Sequence, residues 1–144
     1  MTLSDSITLP HCVNNCKEAV KLNSLQDQVD VLPLTWGLVT TKLLQLKDKL
    51  DWIIGSDLFF DPEVFEKLIF TVKFLLSNNP GCQFICTVQE RSADWSIELL
   101  LKKYKLKCSY EYPDTFLKGT GITPSDLTGD HNIYVLKISL QSNC

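Results

Sequence analysis

The sequence predicts an α/β fold: a parallel sheet with an antiparallel strand pair at its C-terminal edge. Three observations predict it. Strand-like and helix-like segments alternate along the chain. Residues 49–62 read as a buried strand that ends in a small residue and an acid, Ser56 and Asp57, and then turns into a helix. An acidic carboxyl end of this kind is how an open α/β sheet builds a ligand crevice. Finally, two strand-like segments close the chain with no helix between them, so they pair most simply antiparallel at one edge.

The elements follow in order. Residues 1–4 read as a strand, with Asp5 just past its end. Residues 9–22 read as a helix: Pro10 suits its first turn, and Leu9, Val13, Cys16, Ala19 and Val20 share one face. Residues 28–34 alternate as a strand frayed by Pro33, followed by a turn at Thr35, Trp36 and Gly37 and a short helix over 38–46. The strand over 50–56 is followed by the strongest helix, 62–77. Asp61 is placed to cap it, Pro62 sits at its first position, and Val64, Leu68, Val72 and Leu75 form its stripe. Asn78, Asn79, Pro80 and Gly81 stop it. A strand over 83–88, a helix over 93–104 capped by Ser92 or Asp94, and strands over 107–112 and 133–140 complete the chain, with a loop over 113–132. The whole of 1–144 is expected to form a single unit.

Composition narrows the function. Net charge is −3, from 14 basic and 17 acidic residues, and no basic patch dominates, so no direct nucleic-acid partner is expected. Lys102, Lys103, Lys105 and Lys107 around Tyr104 read as a solvated helix end rather than a polyanion site. No apolar run reaches the ~18 residues of a membrane span, and residues 1–10 lack the basic start and apolar core of a signal peptide. Six cysteines in such a chain read as free thiols, which places it in the cytoplasm and nucleus.

No metal site is expected. Cys12 and Cys16 share a helix face, but a structural zinc needs four ligands. Cys82 and Cys86 lie roughly 13 Å apart along a strand. Neither His11 nor His131 has a nucleophile motif around it, and the late pair Gly119 and Gly121 reads as punctuation. What remains is a row of strand ends. Asp5 ends one strand, where an acid can accept hydrogen bonds from ribose hydroxyls. Trp36 follows the next, where a flat ring can pack on a purine. Ser56 and Asp57 end the third.

These residues carry a resemblance. Leu3-Ser4-Asp5, Leu34-Thr35-Trp36-Gly37, Gly55-Ser56-Asp57-Leu58-Phe59-Phe60 and Arg91-Ser92-Ala93-Asp94-Trp95-Ser96 resemble the methyltransferase-16 group of seven-β-strand S-adenosylmethionine-dependent methyltransferases. The resemblance runs over roughly residues 2–140. It implies an S-adenosylmethionine-dependent protein methyltransferase with a Rossmann-like, class I sheet, acting on an arginine or lysine side chain of a protein, with histone arginine as the first expectation. By resemblance, Asp5 holds the cofactor ribose, Trp36 packs near the adenine, and Ser56 touches the cofactor beside the reacting methyl. Asp57 and Phe60 line the target pocket. Asp61, Glu63 and Glu90 are the other acids near that end of the sheet.

The departure is equally specific. The family pattern begins with a strand, a glycine-rich turn and a helix ahead of the matched segment. The family sheet runs 3-2-1-4-5-7-6, so that first strand is the central one. None of these elements is found upstream of Leu3, and the chain is expected to be a truncated form: an incomplete sheet in two halves, each with an open edge, binding S-adenosylmethionine weakly or not at all. Two rival readings stand beside the enzyme: an inactive interaction module that keeps the substrate face, and another Rossmann-type enzyme with a nucleotide cofactor.

Overall fold

The structure, a computed structural model, describes residues 1–92, 94–128 and 131–141. It contains two compact units, Met1–Gln45 and Leu46–Cys144, each with its own sheet.

In the first unit, β1 (Thr2–Ser6) and β2 (Asp30–Leu34) pair in parallel, with Asp5 opposite Pro33 and Ser6 opposite Leu34. The strand therefore runs two residues further than expected, because β2 continues alongside it, and Asp5 lies inside it rather than beyond it. Pro33 is tolerated because β2 has a neighbour on one side only among the described residues. The crossover between them is α1 (Pro10–Leu22), with Pro10 in its first turn. It buries Val13 and Val20, whereas Leu9 and Ala19 stay exposed: two strands offer a helix only a narrow surface. The helix expected over 38–46 shrinks to α2 (Thr41–Leu44), because Thr40 sets its start by accepting the Leu43 N–H at 3.2 Å.

In the second unit, the sheet order is β3-β4-β6-β5, from β3 (Trp52–Ser56), β4 (Gln83–Gln89), β5 (Leu106–Glu111) and β6 (Ile133–Leu140). β3 and β4 are parallel; β6 is antiparallel to both β4 and β5. The closing pair is antiparallel as expected, with β6 inserted inside the sheet and β5 at the edge. Between β3 and β4 runs α3 (Pro62–Ser77), capped by Asp61, whose Oδ1 accepts the Glu63 N–H at 3.0 Å. It packs on β4 and β6. Ile69, Leu76, Phe84, Cys86, Leu136 and Ile138 are fully buried and form the core.

The end of α3 is tied to the start of β3 by one buried side chain. Asn79 Oδ1 accepts the N–H groups of Lys49 and Leu50, each at 2.9 Å, and its Nδ2 donates to Leu75 O at 2.8 Å.

Two expectations fail here. β3 is not buried: Trp52 is 56% and Ile54 80% exposed, because among the described residues only β4 pairs with it. The helix expected from residue 93 begins later, as α4 (Glu98–Lys103). Ahead of it, Ser92 Oγ accepts the Asp94 N–H at 3.3 Å and Ser92 O accepts the Trp95 N–H at 3.2 Å. Ala93 lies outside the described residues. The long loop carries two short helices, α5 (Pro113–Phe116) and α6 (Pro124–Thr128). No described helix is long and apolar enough to cross a membrane.

Candidate functional site

Parallel pairing of β3 with β4 puts their carboxyl ends side by side, with Ser56 opposite Thr87. Thr87 Oγ1 donates to Ser56 Oγ at 3.2 Å. Gly55 leaves room for the Leu58 side chain to fold back against the strand. A Cβ there would come within 2.5 Å of Leu58 Cδ1 and 3.3 Å of Cys86 Sγ.

Asp57 leaves β3 in the left-handed region, φ 54°, with its N–H donating to Thr87 O at 2.8 Å. Left-handed backbone at a non-glycine residue is uncommon, and aspartate tolerates it better than most. Here it swings the carboxylate out of the sheet plane. Arg91, two residues beyond β4, meets that carboxylate with both terminal nitrogens, Nη1 donating to Oδ1 at 2.7 Å and Nη2 to Oδ2. The fork is the bidentate geometry in which guanidinium and carboxylate bind best. These hydrogen bonds hold the Asp57 carboxyl below its ordinary range, against a smaller opposing effect of desolvation.

The three residues after Asp57 diverge. Phe59 is 3% exposed and meets Phe65 of α3 edge to face at 5.3 Å. Phe65 in turn meets Trp95 edge to face at 5.9 Å. Phe60 remains 51% exposed. A cavity of about 230 Å³ opens next to this aromatic chain, with Arg91 in its wall.

In the first unit, Asp5 and Trp36 stand at the carboxyl ends of neighbouring parallel strands. Asp5 Oδ1 accepts the Ser6 N–H at 2.7 Å. Gly37 completes the turn at φ 85°. Between β2 and Trp36, the hydroxyl of Thr35 is buried and without a hydrogen-bond partner among the described residues.

The structure thus brings Ser56 and Asp57 together on one unit and places Asp5 and Trp36 on the other. Sequence reasoning missed Thr87, Thr35 and the role of Arg91. Parallel register signals the first, and the Arg91-to-Ser96 string contained the last.

Comparison with known proteins places the chain in a family. A family model described as lysine methyltransferase matches residues 1–101. The histone-arginine methyltransferase METTL23 of Mus musculus is 44% identical over 138 residues, covering 95% of this chain and 54% of that protein. Its Homo sapiens counterpart is 42% identical over 138 residues, 95% of this chain and 72% of that one. The chain belongs to this methyltransferase family. It spans 54% and 61% of the length of the Mus musculus and Rattus norvegicus relatives. Two solved structures share the fold: the METTL16 MTase domain, with a TM-score of 0.60 at 15% identity over 98% of this chain and 50% of that one, and the PH0226 protein of Pyrococcus horikoshii, with 0.62 at 14% over 98% and 71%. The expected Rossmann-like α/β class is therefore the fold.

Proposed function

We propose that this chain carries out S-adenosylmethionine-dependent N-methylation of arginine in a histone or another protein, in the nucleus and cytoplasm. The observation that carries the reading is the 44% identity to a histone-arginine methyltransferase, in a chain whose Asp57 and Phe60 follow the carboxyl end of β3.

The donor chemistry of the chain fits the cofactor. Asp5 would hold the ribose hydroxyls, Trp36 and the orphan Thr35 hydroxyl the purine, and Ser56 the end nearest the reaction. S-adenosylmethionine, when bound, supplies an electrophilic methyl on a sulfonium sulfur. The chain's own part is positional. A low-pKa Asp57 is ionised at neutral pH and a poor proton acceptor, so it orients and electrostatically holds the target rather than deprotonating it. Arginine is favoured over lysine because this carboxylate presents both oxygens to a planar guanidinium, as its pairing with Arg91 displays. Phe60 supplies an exposed ring beside it.

The test is methyl transfer from labelled S-adenosylmethionine to core histones by the purified chain, with the product located by mass spectrometry. Methyl on arginine, lost in Asp57→Ala, is the expected result. Methyl on lysine would correct the target class, and no transfer by cofactor-loaded protein would overturn the reading.

A further inference from the structure

The cavity beside Arg91 is not the Asp57 and Phe60 site, since neither residue lines it. Its walls come from Phe59, from α3, from residues 88–92 and 95–98 and from the last two strands. Its chemistry is aromatic and acidic. Trp95, Tyr110 and Tyr134 contribute rings, and Tyr110 and Tyr134 are tilted at 54° with centroids 5.6 Å apart. Glu90 and Glu98 contribute carboxylates, and neither is in an ion pair among the described residues. The cation in the wall, Arg91, is already neutralised by Asp57.

Burial chiefly raises Tyr110, to about 12, with Cys108 and Tyr134 ahead of Glu98 among the neighbours that add to it. Burial, then Glu90, raises Tyr134. With Arg91 paired to Asp57, the carboxylates of Glu90 and Glu98 are the wall's charges outside an ion pair among the described residues, and they disfavour an anion. At about 230 Å³ it is smaller than the pockets that enclose whole cofactors or drug-sized ligands, but it admits one long side chain. Rings with adjacent carboxylates are what a guanidinium or ammonium on an apolar stem requires.

We propose that this cavity takes a second basic side chain of the protein substrate, flanking the residue held at Asp57. The proposal rests on the function proposed above. Arg91 lines the cavity and also binds Asp57, so it joins the two positions, and a basic peptide would place adjacent cations in each.

The test measures binding of an arginine-containing peptide to the whole chain by fluorescence anisotropy, without S-adenosylmethionine. Three peptides are compared: two arginines, one arginine beside citrulline (isosteric and uncharged), and one arginine beside alanine. Replacing the flanking arginine by citrulline should weaken binding about five- to tenfold. Glu90→Gln combined with Glu98→Gln should weaken the two-arginine peptide equally and leave the citrulline peptide unaffected. A melt that matches the parent shows that the double variant is folded. Equal citrulline penalties in parent and variant, or no penalty, would overturn the proposal. So would a Glu-dependent affinity for the single-arginine peptides, which would put the target itself in the cavity. Because binding is read without cofactor, glutamate-dependent binding with no methyl transfer would count against the enzyme reading alone.

Discussion

The carboxylate of Asp57 is held by the guanidinium of Arg91 through two parallel hydrogen bonds, across 34 residues of sequence. Register sets up the meeting: β3 and β4 end together, Asp57 turns left-handed off the first, and Arg91 follows the second. On the function proposed, the chain's own arginine stands where a target arginine would be oriented. Substrate engagement then requires Arg91 to yield at least one carboxylate oxygen.

Asp57→Ala should therefore separate activity from stability. Both partners are substantially exposed, 41% and 30% by side chain, so the pair contributes only about 0.2–1 kcal/mol. Methyl transfer should fall by about 100-fold or more, the scale of losing one positioning or electrostatic contact. Urea denaturation beside a transfer assay checks both. Proportionate losses would make Asp57 a purely structural residue.

The pH dependence has a definite sign. The folded carboxyl is depressed, so the contribution of the pair is complete above the ordinary value of 3.8 and is lost as pH falls through the lower folded value. Parent and Asp57→Asn should differ in melting temperature at pH 7 and converge as the buffer is acidified below 3.8. A gap that stays constant would mean that Arg91 does not respond to the charge.

Some of this architecture was legible from local pattern and some was not. The bounds of α3 follow from an acid, a proline and an apolar stripe, all local signals. Ser56 and Asp57 were legible because a strand followed by a capped helix marks a strand end. The exposure of Ile54 was not, since an apolar strand looks the same whether one or two neighbours cover it. Arg91 was not legible as a partner because its contact is nonlocal. Trp95, Ser96 and Ile97 are compatible with a helix, yet they precede α4 and wall the cavity.

Asn79 offers a direct stability test. Replacing it with alanine removes three hydrogen bonds and strands the Leu50 N–H, while the Lys49 N–H keeps Leu46 O at 3.3 Å and Leu75 O keeps the Asn78 N–H at 3.2 Å. At roughly 1 kcal/mol for each, the loss should be about 2–4 kcal/mol. Equilibrium denaturation reads it, and a loss below 0.5 kcal/mol, the ordinary surface range, would show that water replaces these contacts.

Thiol chemistry should follow burial. Cys86 is fully buried, and desolvation pushes its thiol up to about 11. At pH 8 it carries almost no thiolate, so an alkylating reagent should label it only after denaturation. Labelling of native protein followed by peptide mapping checks this. Cys86 modified at the unfolded rate would mean that the β4 core opens freely.

The outer side of β3 presents the clearest liability. Trp52 and Ile54 are exposed on a strand paired by β4 alone among the described residues. Such an edge carries unpaired backbone groups beside apolar side chains, the arrangement that templates strand-to-strand association. Ile54→Lys places a charge at an 80% exposed position, so little buried contact is lost and stability should change by less than about 0.5 kcal/mol. Self-association of the purified chain, followed by light scattering across a concentration series, should fall. The same substitution at Ile69, which is fully buried, should instead unfold the protein. If Ile54→Lys unfolds the chain while leaving no soluble monomer, the β3 edge is covered by packing that its exposure does not reveal. If it leaves scattering unchanged in a folded chain, association proceeds through another surface.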